Sequence, residues 1–380
     1  MSRTIKDLLS KDLSYDSGFI LNTMNTPAPE EAQNIFAQHL FRNPGNPNLF
    51  RGTAELELKV MRDLSHLLKI SSSNELVGKL ISGGSEANIL GIWAARNNFV
   101  AKKGSLPSTA HIIAPETIHP SIGFKAANML GLEVQPVPVD DRFVVHADLV
   151  EDLVNSATVA IVGVAGNTLS GAIDPLEKIG EVVASEGIHF HVDACFGGFV
   201  IPFLDPPHLP DYYFDSCNVS SMSIDAHKMG GVPIPAGGII FRDKTVVSNI
   251  LTHYPYFTGE EKDTWSIVGT RSGAPIVTLA HLLESWGYEG YQRHVRYCLD
   301  LTLYLREQLH LLGQFEILPH TLNILLVRHT NGPARTEELF NSLVAKGYRP
   351  GLVGGYLRFV VMPHFTRSHI EQLVQEIRAL

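Results

Sequence analysis

Between residues 51 and 255, short apolar runs rich in β-branched residues alternate with longer segments of helical periodicity. The short runs predict strands and the longer segments predict helices. The predicted strands are 111–114, 134–139, 159–164, 189–192, 219–224 and 238–241, and the clearest helices are 86–100, 147–155 and 175–185. Strands that alternate with helices usually pair in parallel, so the sequence predicts an α/β fold whose mostly parallel sheet is covered on both faces.

The pattern differs on either side of this region. Residues 1–50 are rich in Asn and Pro, and we expect them to form an N-terminal arm with a short helix. Residues 51–270 are the predicted large domain. A long helical region, two further strands and a final amphipathic helix predict a smaller α+β domain over 271–380.

Charge and cysteine content exclude several classes of partner. The 380 residues include 30 Lys and Arg against 39 Asp and Glu, a formal net charge of −9, so a nucleic-acid partner is not expected. We find no segment typical of a signal peptide or a membrane span. Three cysteines without metal-ligand spacing favour a reducing, cytoplasmic compartment.

The sharpest local signal is the segment Ser223-Ile-Asp-Ala-His-Lys-Met-Gly230. Here a predicted strand delivers His227 and Lys228 into a glycine-rich loop. A lysine in such a place can act through its amine, which must first lose its proton; burial and nearby positive charge favour that loss. A lone His-Lys pair is more often an ordinary surface loop, so the assignment depends on the segments around it.

A second segment, His189-Phe-His-Val-Asp193, ends a predicted parallel strand with a carboxylate. Ligands bind beyond the carboxyl ends of such strands, and alternation places His189, His191 and Asp193 on one face. The run is compatible with a metal-dependent hydrolase, although Ala-Cys follows where such enzymes usually continue into another histidine. The alternative use of Asp193 is to pair with the N–H of a heteroaromatic ring.

Two more segments carry polar groups near predicted strand ends. Gly84 and Ser85 open a helix, where free backbone N–H groups and the helix dipole suit a single phosphate. The segment is not a P-loop, since no Gly-Lys-Ser/Thr follows, and an ordinary N-cap at Ser85 is the simpler explanation for it alone. His119 follows a strand and precedes a helix.

These four segments, in this order, resemble the group II amino-acid decarboxylases, pyridoxal-phosphate (PLP) enzymes of fold type I. The resemblance extends from Asn46 to His364 and is greatest to the archaeal L-tyrosine/L-aspartate decarboxylases, which are associated with methanofuran or coenzyme A biosynthesis. It implies PLP as cofactor, no metal, and a homodimer with its sites at the subunit interface.

The resemblance also implies a role for each site residue. Lys228 would bond the cofactor aldehyde, Asp193 would pair with its ring nitrogen, and His119 would stack on the ring. The remaining cofactor contacts would be Gly84, Ser85, Thr168, Cys195, Ser223, His227 and, from the partner subunit, Thr270. The chain has Asn167 where the family usually has Thr, and Cys195 where it usually has Ala.

A guanidinium binds a carboxylate in a fixed bidentate geometry, so Arg358 is the candidate for orienting the substrate carboxylate, with a structural ion pair as the alternative. By resemblance, Asn46 and Phe50 would line the substrate. Tyr256, before a glycine-bearing and charged segment, matches the family's mobile-loop tyrosine that protonates Cα. Tyr254 is the alternative tyrosine, and His119 is the competing donor. We expect L-tyrosine as substrate, giving tyramine, and next L-aspartate, giving β-alanine.

Three alternatives stay open at this point. A carbon–carbon lyase resembling sphingosine-1-phosphate lyase keeps the cofactor but breaks another bond. A metal-dependent hydrolase would use His189, His191 and Asp193. A non-catalytic dimeric binding protein would keep the fold and the bound cofactor without turnover.

Overall fold

The computed structural model describes residues 3–68, 70, 76–204, 214, 216–255 and 263–380. Contacts divide the chain into two compact units, one of residues 28–292 and one of residues 1–27 with 293–380. The domain boundaries expected from the sequence stay a prediction.

The unit of residues 28–292 is built on a seven-stranded sheet of order β1-β7-β6-β5-β4-β2-β3. Its strands are β1 (Val77–Ile81), β2 (His111–Pro115), β3 (Glu133–Val137), β4 (Thr158–Val164), β5 (His189–Asp193), β6 (Ser221–Asp225) and β7 (Gly237–Phe241). The pairs from β3 across to β6 are parallel, whereas β7 runs antiparallel to β6 and β1. The predicted mostly parallel sheet is confirmed, and with it the fold type I architecture.

Helices connect these strands. They are α2 (Glu30–Gln38), α3 (Arg51–Leu67), α4 (Gly84–Lys103), α5 (Ala127–Leu130), α6 (Ala147–Leu153), α7 (Leu176–Glu186) and α8 (Lys244–Val247), with a π-helical turn at Ser121–Ala126. A short hairpin pairs β8 (Thr252–His253) with β9 (Asp263–Thr264). The helix α9 (Ala274–Leu311) breaks at Gly287, whose φ is 57° and ψ is −167°.

The unit of residues 1–27 and 293–380 has a four-stranded antiparallel sheet of order β10-β11-β13-β12. These strands are β10 (Phe315–Ile317), β11 (Ile324–His329), β12 (Gly351–Val353) and β13 (Tyr356–Val360), and the helices are α1 (Arg3–Leu9), α10 (Pro333–Ala345) and α11 (Arg367–Arg378). Leucines of the last part of α9 and the apolar face of α11 form its core with this sheet.

The buried helix α4 fixes the geometry of the site. It buries Ala87, Leu90 and Ala94 in one apolar cluster with β7, and Ile92 and Ala95 in another with β2 and β4. Because α4 is apolar on two sides, its first turn is held near the carboxyl ends of β5 and β6. Within the described part of the chain, no helix is both long and apolar enough to cross a membrane.

Candidate active site

Lys228 lies just beyond β6, in the loop that joins β6 to β7. Two hydrogen bonds close this loop: the His227 backbone N–H donates to the Ala236 carbonyl oxygen (2.9 Å), and the Ala236 N–H donates to His227 Nδ1 (3.1 Å). Lys228 Nζ lies 3.1 Å from Oδ2 of Asp225, whose side chain is 3% exposed. The loop therefore holds the amine against a buried carboxylate.

The surroundings of Lys228 keep its amine protonated. Burial lowers the pKa of Lys228, as expected, but the negative charges of Asp225 and Asp193 more than offset it, and the pKa is raised above 10.5. The expectation that positive charge would assist deprotonation is wrong for this arrangement, because carboxylates surround the amine. Among the described residues, Asp225 forms an ion pair with this amine.

Asp193 ends β5 and lies opposite Ser223 in the register with β6. Its Oδ1 accepts hydrogen bonds from the Cys195 backbone N–H (3.1 Å) and Ser223 Oγ (3.3 Å), and its Oδ2 accepts one from Asn88 Nδ2 (2.9 Å). Burial raises the pKa of Asp193, but the Lys228 charge and the hydrogen bonds from Cys195 outweigh burial, so the pKa is lowered. Asp193 is thus a buried carboxylate that stays ionised.

Cys195 and Ser223 lie side by side next to Asp193. Cys195 Sγ donates to Ser223 Oγ at 3.2 Å. Burial raises the pKa of the Cys195 thiol well above its usual 9.0, so the thiol stays protonated. This environment suits a small apolar side chain rather than a nucleophile.

His189 and His191 lie on one face of β5, as the alternation predicts. His189 Nε2 and His191 Nδ1 both lie 2.8 Å from Ser221 Oγ. Burial lowers the pKa of His189 to about 3 and that of His191 to about 4, so both rings are neutral. Among the residues that the structure describes, no group of three or more His, Cys, Asp or Glu side chains could hold a metal ion.

His119 lies between β2 and the π-helical turn. Its Nδ1 is 2.8 Å from Ser121 Oγ and accepts a hydrogen bond from the Ser121 backbone N–H at 3.1 Å. His119 as a residue is exposed, yet desolvation of its ring lowers its pKa below 6.5. The family resemblance implies that this ring stacks on the cofactor, and its exposed position is compatible with such a contact.

The start of α4 is shaped by two glycines. The helix begins at Gly84 after the N-cap Gly83, and its first N–H groups have no partner within the helix. A Cβ on Gly84 would lie 2.3 Å from Cys195 Sγ and 2.8 Å from Asp225 Oδ2. Only a bare backbone fits here, beside the carboxyl ends of β5 and β6.

Glu86 lies in the first turn of α4, and its carboxylate forms three hydrogen bonds. Its Oε2 accepts hydrogen bonds from Ser82 N–H (2.9 Å) and Ser82 Oγ (2.7 Å), and its Oε1 accepts one from Val268 N–H (3.3 Å). The carboxylate is therefore occupied by two loops.

Thr270 is exposed on a loop fixed by the residue that follows it. Arg271 forms a bidentate pair with Glu57, with both N–O distances 2.7 Å, and also donates to the Leu80 carbonyl oxygen at 2.6 Å. The Arg271 backbone N–H also donates to Asn43 Oδ1 at 3.4 Å. This network anchors the Thr270 loop to α3 and β1.

The segment that carries Asn46 and Phe50 lies against the same loop. A Cβ on Gly45 would lie 1.9 Å from the Gly269 carbonyl oxygen, so the two loops touch through their backbones. The Phe50 N–H donates to the Asn46 carbonyl oxygen at 3.1 Å, which leads the turn into α3. Both residues are half-buried.

Thr168 is half-buried in the loop after β4, and its neighbour Asn167 organises that loop. Asn167 Oδ1 accepts from the backbone N–H groups of Leu169 (3.1 Å) and Ser170 (2.7 Å), and its Nδ2 donates to the Phe143 carbonyl oxygen (3.0 Å). The departure from Thr at position 167 therefore supplies loop contacts.

Two predicted residues are not joined to this cluster by the structure. Tyr256 lies outside the described residues. Arg358 belongs to the other compact unit, on β13, where its Nη1 donates to Asn22 Oδ1 and to the Asn22 carbonyl oxygen. Burial lowers the pKa of Arg358 to about 10.

Sequence reasoning assigned no role to Asn88, Ser121 or Asp225, although each lies in a segment that it considered. Asp225 is the one with a usable signal, since a carboxylate three positions before Lys228 is within reach of the amine in a tight loop. Asn88 and Ser121 gave no such signal, because the residues that they bond are distant in the chain.

Comparison with known proteins places this geometry in a family. Residues 46–328 match the pyridoxal-dependent decarboxylase conserved domain. A probable L-tyrosine/L-aspartate decarboxylase of Methanothermobacter thermautotrophicus is 38% identical over 375 residues, covering 97% of this chain and 99% of that protein. An L-aspartate decarboxylase of Thermococcus kodakarensis is 35% identical and covers 100% of this chain and 96% of that protein.

A solved structure agrees at the level of the fold. The glutamate decarboxylase of Lactobacillus brevis superposes with a TM-score of 0.89 at 24% identity, covering 99% of this chain and 90% of that one. The resemblance to archaeal L-tyrosine/L-aspartate decarboxylases is thereby confirmed over nearly the whole sequence. This chain belongs to the pyridoxal-dependent decarboxylase family.

Proposed function

We propose that this PLP-dependent amino-acid decarboxylase acts on L-aspartate, releasing carbon dioxide and β-alanine, with L-tyrosine as the second candidate. We place L-aspartate before L-tyrosine because both relatives described above have L-aspartate in their names, whereas only one has L-tyrosine. This reverses the order expected from the sequence. Membership of a decarboxylase family favours loss of carbon dioxide over the lyase alternative.

The residues around Lys228 fit the cofactor. The cradle at Gly84 is filled by any Cβ, so its backbone N–H groups can approach a phosphate closely. Asp193 is ionised and buried at the neighbouring strand end, and Asp225 Oδ1 is buried without a hydrogen-bond partner among the described residues. When bound, PLP accepts the electron pair that the departing carboxylate leaves on the substrate Cα.

Two charged side chains, Asp193 and Lys228, carry the main roles that we propose for the protein. Asp193 would hold a proton on the ring nitrogen, since an ionised carboxylate raises the pKa of a basic group next to it. Lys228 would hold the cofactor aldehyde through its amine, and Asp225, 3.1 Å away, would keep that amine in place. Gly84, Ser85 and His227 would hold the phosphate.

The other predicted contacts complete this proposal. Thr168, Cys195 and Ser223 would contact the ring, and Arg358 would orient the substrate carboxylate with a bidentate pair. Asn46 and Phe50 would line the substrate side chain. Tyr256 would return the proton to Cα, with His119 as the competing donor.

The test is a screen of the purified protein with PLP and each of the twenty L-amino acids, measuring carbon dioxide and amine. We expect β-alanine from L-aspartate, and no product from the Lys228→Ala control. Tyramine alone would restore L-tyrosine as the substrate. Release from no amino acid, together with aldehyde release from a phosphorylated sphingoid base, would overturn the decarboxylase assignment in favour of the lyase.

We further propose a cytoplasmic homodimer in which Thr270 reaches the partner's cofactor. Thr270 is exposed, and the preceding Ile267 and Val268 are 47% and 41% exposed, which favours a covering partner. Mixed dimers of Lys228→Ala and Thr270→Ala subunits should recover part of the activity, since each contains one intact site. Monomers in light scattering, or no recovery, would contradict this arrangement.

A role in methanofuran biosynthesis is a further proposal and rests on the similarity to the archaeal enzymes. It requires tyramine as product, so the same screen tests it.

A further inference from the structure

The side-chain amide of Asn88 lies at the junction of the polar groups beneath the candidate site. Asn88 is on α4 and is 1% exposed. Its Nδ2 donates to Asp193 Oδ2 (2.9 Å) and to Ser121 Oγ (2.9 Å), and its Oδ1 lies 3.0 Å from His191 Nε2. Both amide hydrogens and the amide oxygen are therefore used, by two residues of β5 and one residue of the π-helical turn.

The ionised Asp193 fixes the orientation of this amide. A carboxylate without a proton can only accept, so the nitrogen of Asn88 must face it and the oxygen must face His191. His191 is neutral and has to donate from Nε2, which leaves Nδ1 to accept from Ser221 Oγ at 2.8 Å. Ser221 Oγ then accepts from His189 Nε2 at 2.8 Å.

The same argument runs from Asn88 toward His119. Ser121 Oγ accepts a hydrogen from Asn88 and donates its own to His119 Nδ1, which also accepts from the Ser121 backbone N–H. A neutral His119 ring with Nδ1 accepting carries its hydrogen on Nε2. The Ser121 backbone N–H already fixes this tautomer, and the Asn88 amide adds the orientation of the Ser121 hydroxyl, which donates to the same nitrogen.

Packing leaves no alternative position for these groups. A Cβ on Gly91, one turn after Asn88 on α4, would lie 2.4 Å from His191 Nδ1. The helix backbone therefore rests directly on the imidazole. Only an amide of this length offers two donors and one acceptor at position 88.

We propose that Asn88 is a positioning residue that links the ionised Asp193 to His119 by turning the Ser121 hydroxyl so that it donates to His119 Nδ1. The inference rests on the proposed roles of Asp193 and His119, but the hydrogen bonds that carry it belong to the protein alone. Its consequence is that a change in the hydrogen bonding of Asp193 also changes the hydrogen bonding of His119.

Three variants separate this role from a structural one. Asn88→Asp keeps the shape of the side chain, removes both donors and sets a second carboxylate against Asp193. Ser121→Ala breaks only the branch to His119 and leaves Asp193 bonded to Asn88. Asn98→Asp is the matched control, because it makes the same change on the same helix at a residue that bonds the Val246 carbonyl oxygen (2.9 Å).

The readout is the pH titration of the His119 ring in cofactor-free protein, followed by ¹⁵N NMR of labelled histidine. His119 is identified among the 17 histidines by its loss in His119→Gln. We expect the midpoint to rise by about 1 pH unit in Asn88→Asp, because the Ser121 hydroxyl then donates to the new carboxyl oxygen and no longer to His119 Nδ1. It should also rise in Ser121→Ala, which loses a donor to Nδ1, and stay unchanged in Asn98→Asp.

A second measurement follows the cofactor-loaded enzyme. The pH dependence of kcat should shift in Asn88→Asp in the same direction as the His119 midpoint, with KM little changed. An unchanged midpoint in both Asn88→Asp and Ser121→Ala would overturn the coupling. If no amino acid is decarboxylated but the midpoint still moves, the coupling stands and the proposed function fails, so the two outcomes are distinguishable.

Discussion

The cradle at the start of α4 gives the sharpest quantitative prediction. In Gly84→Ala, the new Cβ would lie 2.3 Å from Cys195 Sγ and 2.8 Å from Asp225 Oδ2. All three positions are buried, so the atoms cannot move into solvent. Overpacking of this kind costs about 1–3 kcal/mol, and we expect the cofactor-free protein to lose that much free energy of unfolding.

The sulfur is the closer of the two obstacles, which makes a double-mutant cycle informative. Cys195→Ala removes Sγ and restores the residue that the family usually has at this position. The Asp225 carboxylate is the end of a side chain and can shift by a few tenths of an ångström. We therefore expect Gly84→Ala to cost about 1–2 kcal/mol less in the Cys195→Ala background than in the parent.

The assay is urea unfolding of four cofactor-free proteins: the parent, the two single variants and the double variant. The affinity for PLP, from fluorescence titration, should fall about tenfold or more in Gly84→Ala, because its methyl group would displace Cys195 and Asp225, which lie at the proposed cofactor site. Stability changes that add to within about 0.5 kcal/mol would refute the reasoning, because additivity means that the methyl group and Sγ do not meet.

Four further predictions concern other parts of the same unit. Lys228→Ala should abolish the adduct that borohydride reduction fixes on the protein, as seen by peptide mass spectrometry. Asp193→Asn should lower kcat far more than it lowers the free energy of unfolding, measured side by side. Glu57→Gln should destabilise the protein by about 3–5 kcal/mol in urea, because it leaves the Arg271 charge buried without its carboxylate. Asp174 should make stability fall as pH rises from about 4 to about 7, and Asp174→Asn should flatten that dependence in urea titrations between pH 4 and pH 8.

The sign for Asp174 follows from burial. Burial raises the pKa of Asp174 from 3.8 to about 7, although its oxygens accept hydrogen bonds from the backbone N–H groups of Val145 and Val164. The folded state therefore holds a proton that the unfolded state releases. Its stabilisation is fully present below about pH 4 and is lost as pH rises through 7, for a total of about 4 kcal/mol.

The Glu57 prediction has a matched control variant, and each of the other three has an outcome that would contradict it. Glu55→Gln, on the same helix as Glu57, breaks the exposed pair with Arg51 and should change stability by less than about 1 kcal/mol. A reduced adduct in Lys228→Ala would remove the central assignment. An Asp193→Asn protein that unfolds would make that carboxylate structural, and parallel pH curves for Asp174→Asn and the parent would remove the titration argument.

The sequence was informative wherever the chain repeats a pattern. Buried strands such as β4 are continuous β-branched runs, and Asp193 could be found because it ends one of them. Strand β1 was missed because Gly78 and Lys79 interrupt its apolar run and three of its five residues are only half-buried. Its antiparallel place beside β7 follows from chain reversal, which no local pattern encodes.

The contacts of the site were less accessible than its members. Asn88 is 105 positions from Asp193 and 33 from Ser121 in the chain, and no spacing rule joins a helix amide to a strand-end carboxylate. The surroundings of Lys228 were misjudged for the same reason, since the sequence does not show which charges the fold collects around an amine. The packing of α4 over the ends of β5 and β6 determines both the partners of Asn88 and the surroundings of Lys228.

The Glu86 carboxylate accepts hydrogen bonds from Ser82 and Val268, which allows the first turn of α4 to be followed in solution. The Val268 N–H is held by a carboxylate from α4, two positions before Thr270. Its exchange with deuterium therefore reports on the seating of the first turn of α4 rather than on any strand pairing. The exchange rate of the Val268 amide would therefore report structural changes around Gly84, and it can be measured without substrate or product.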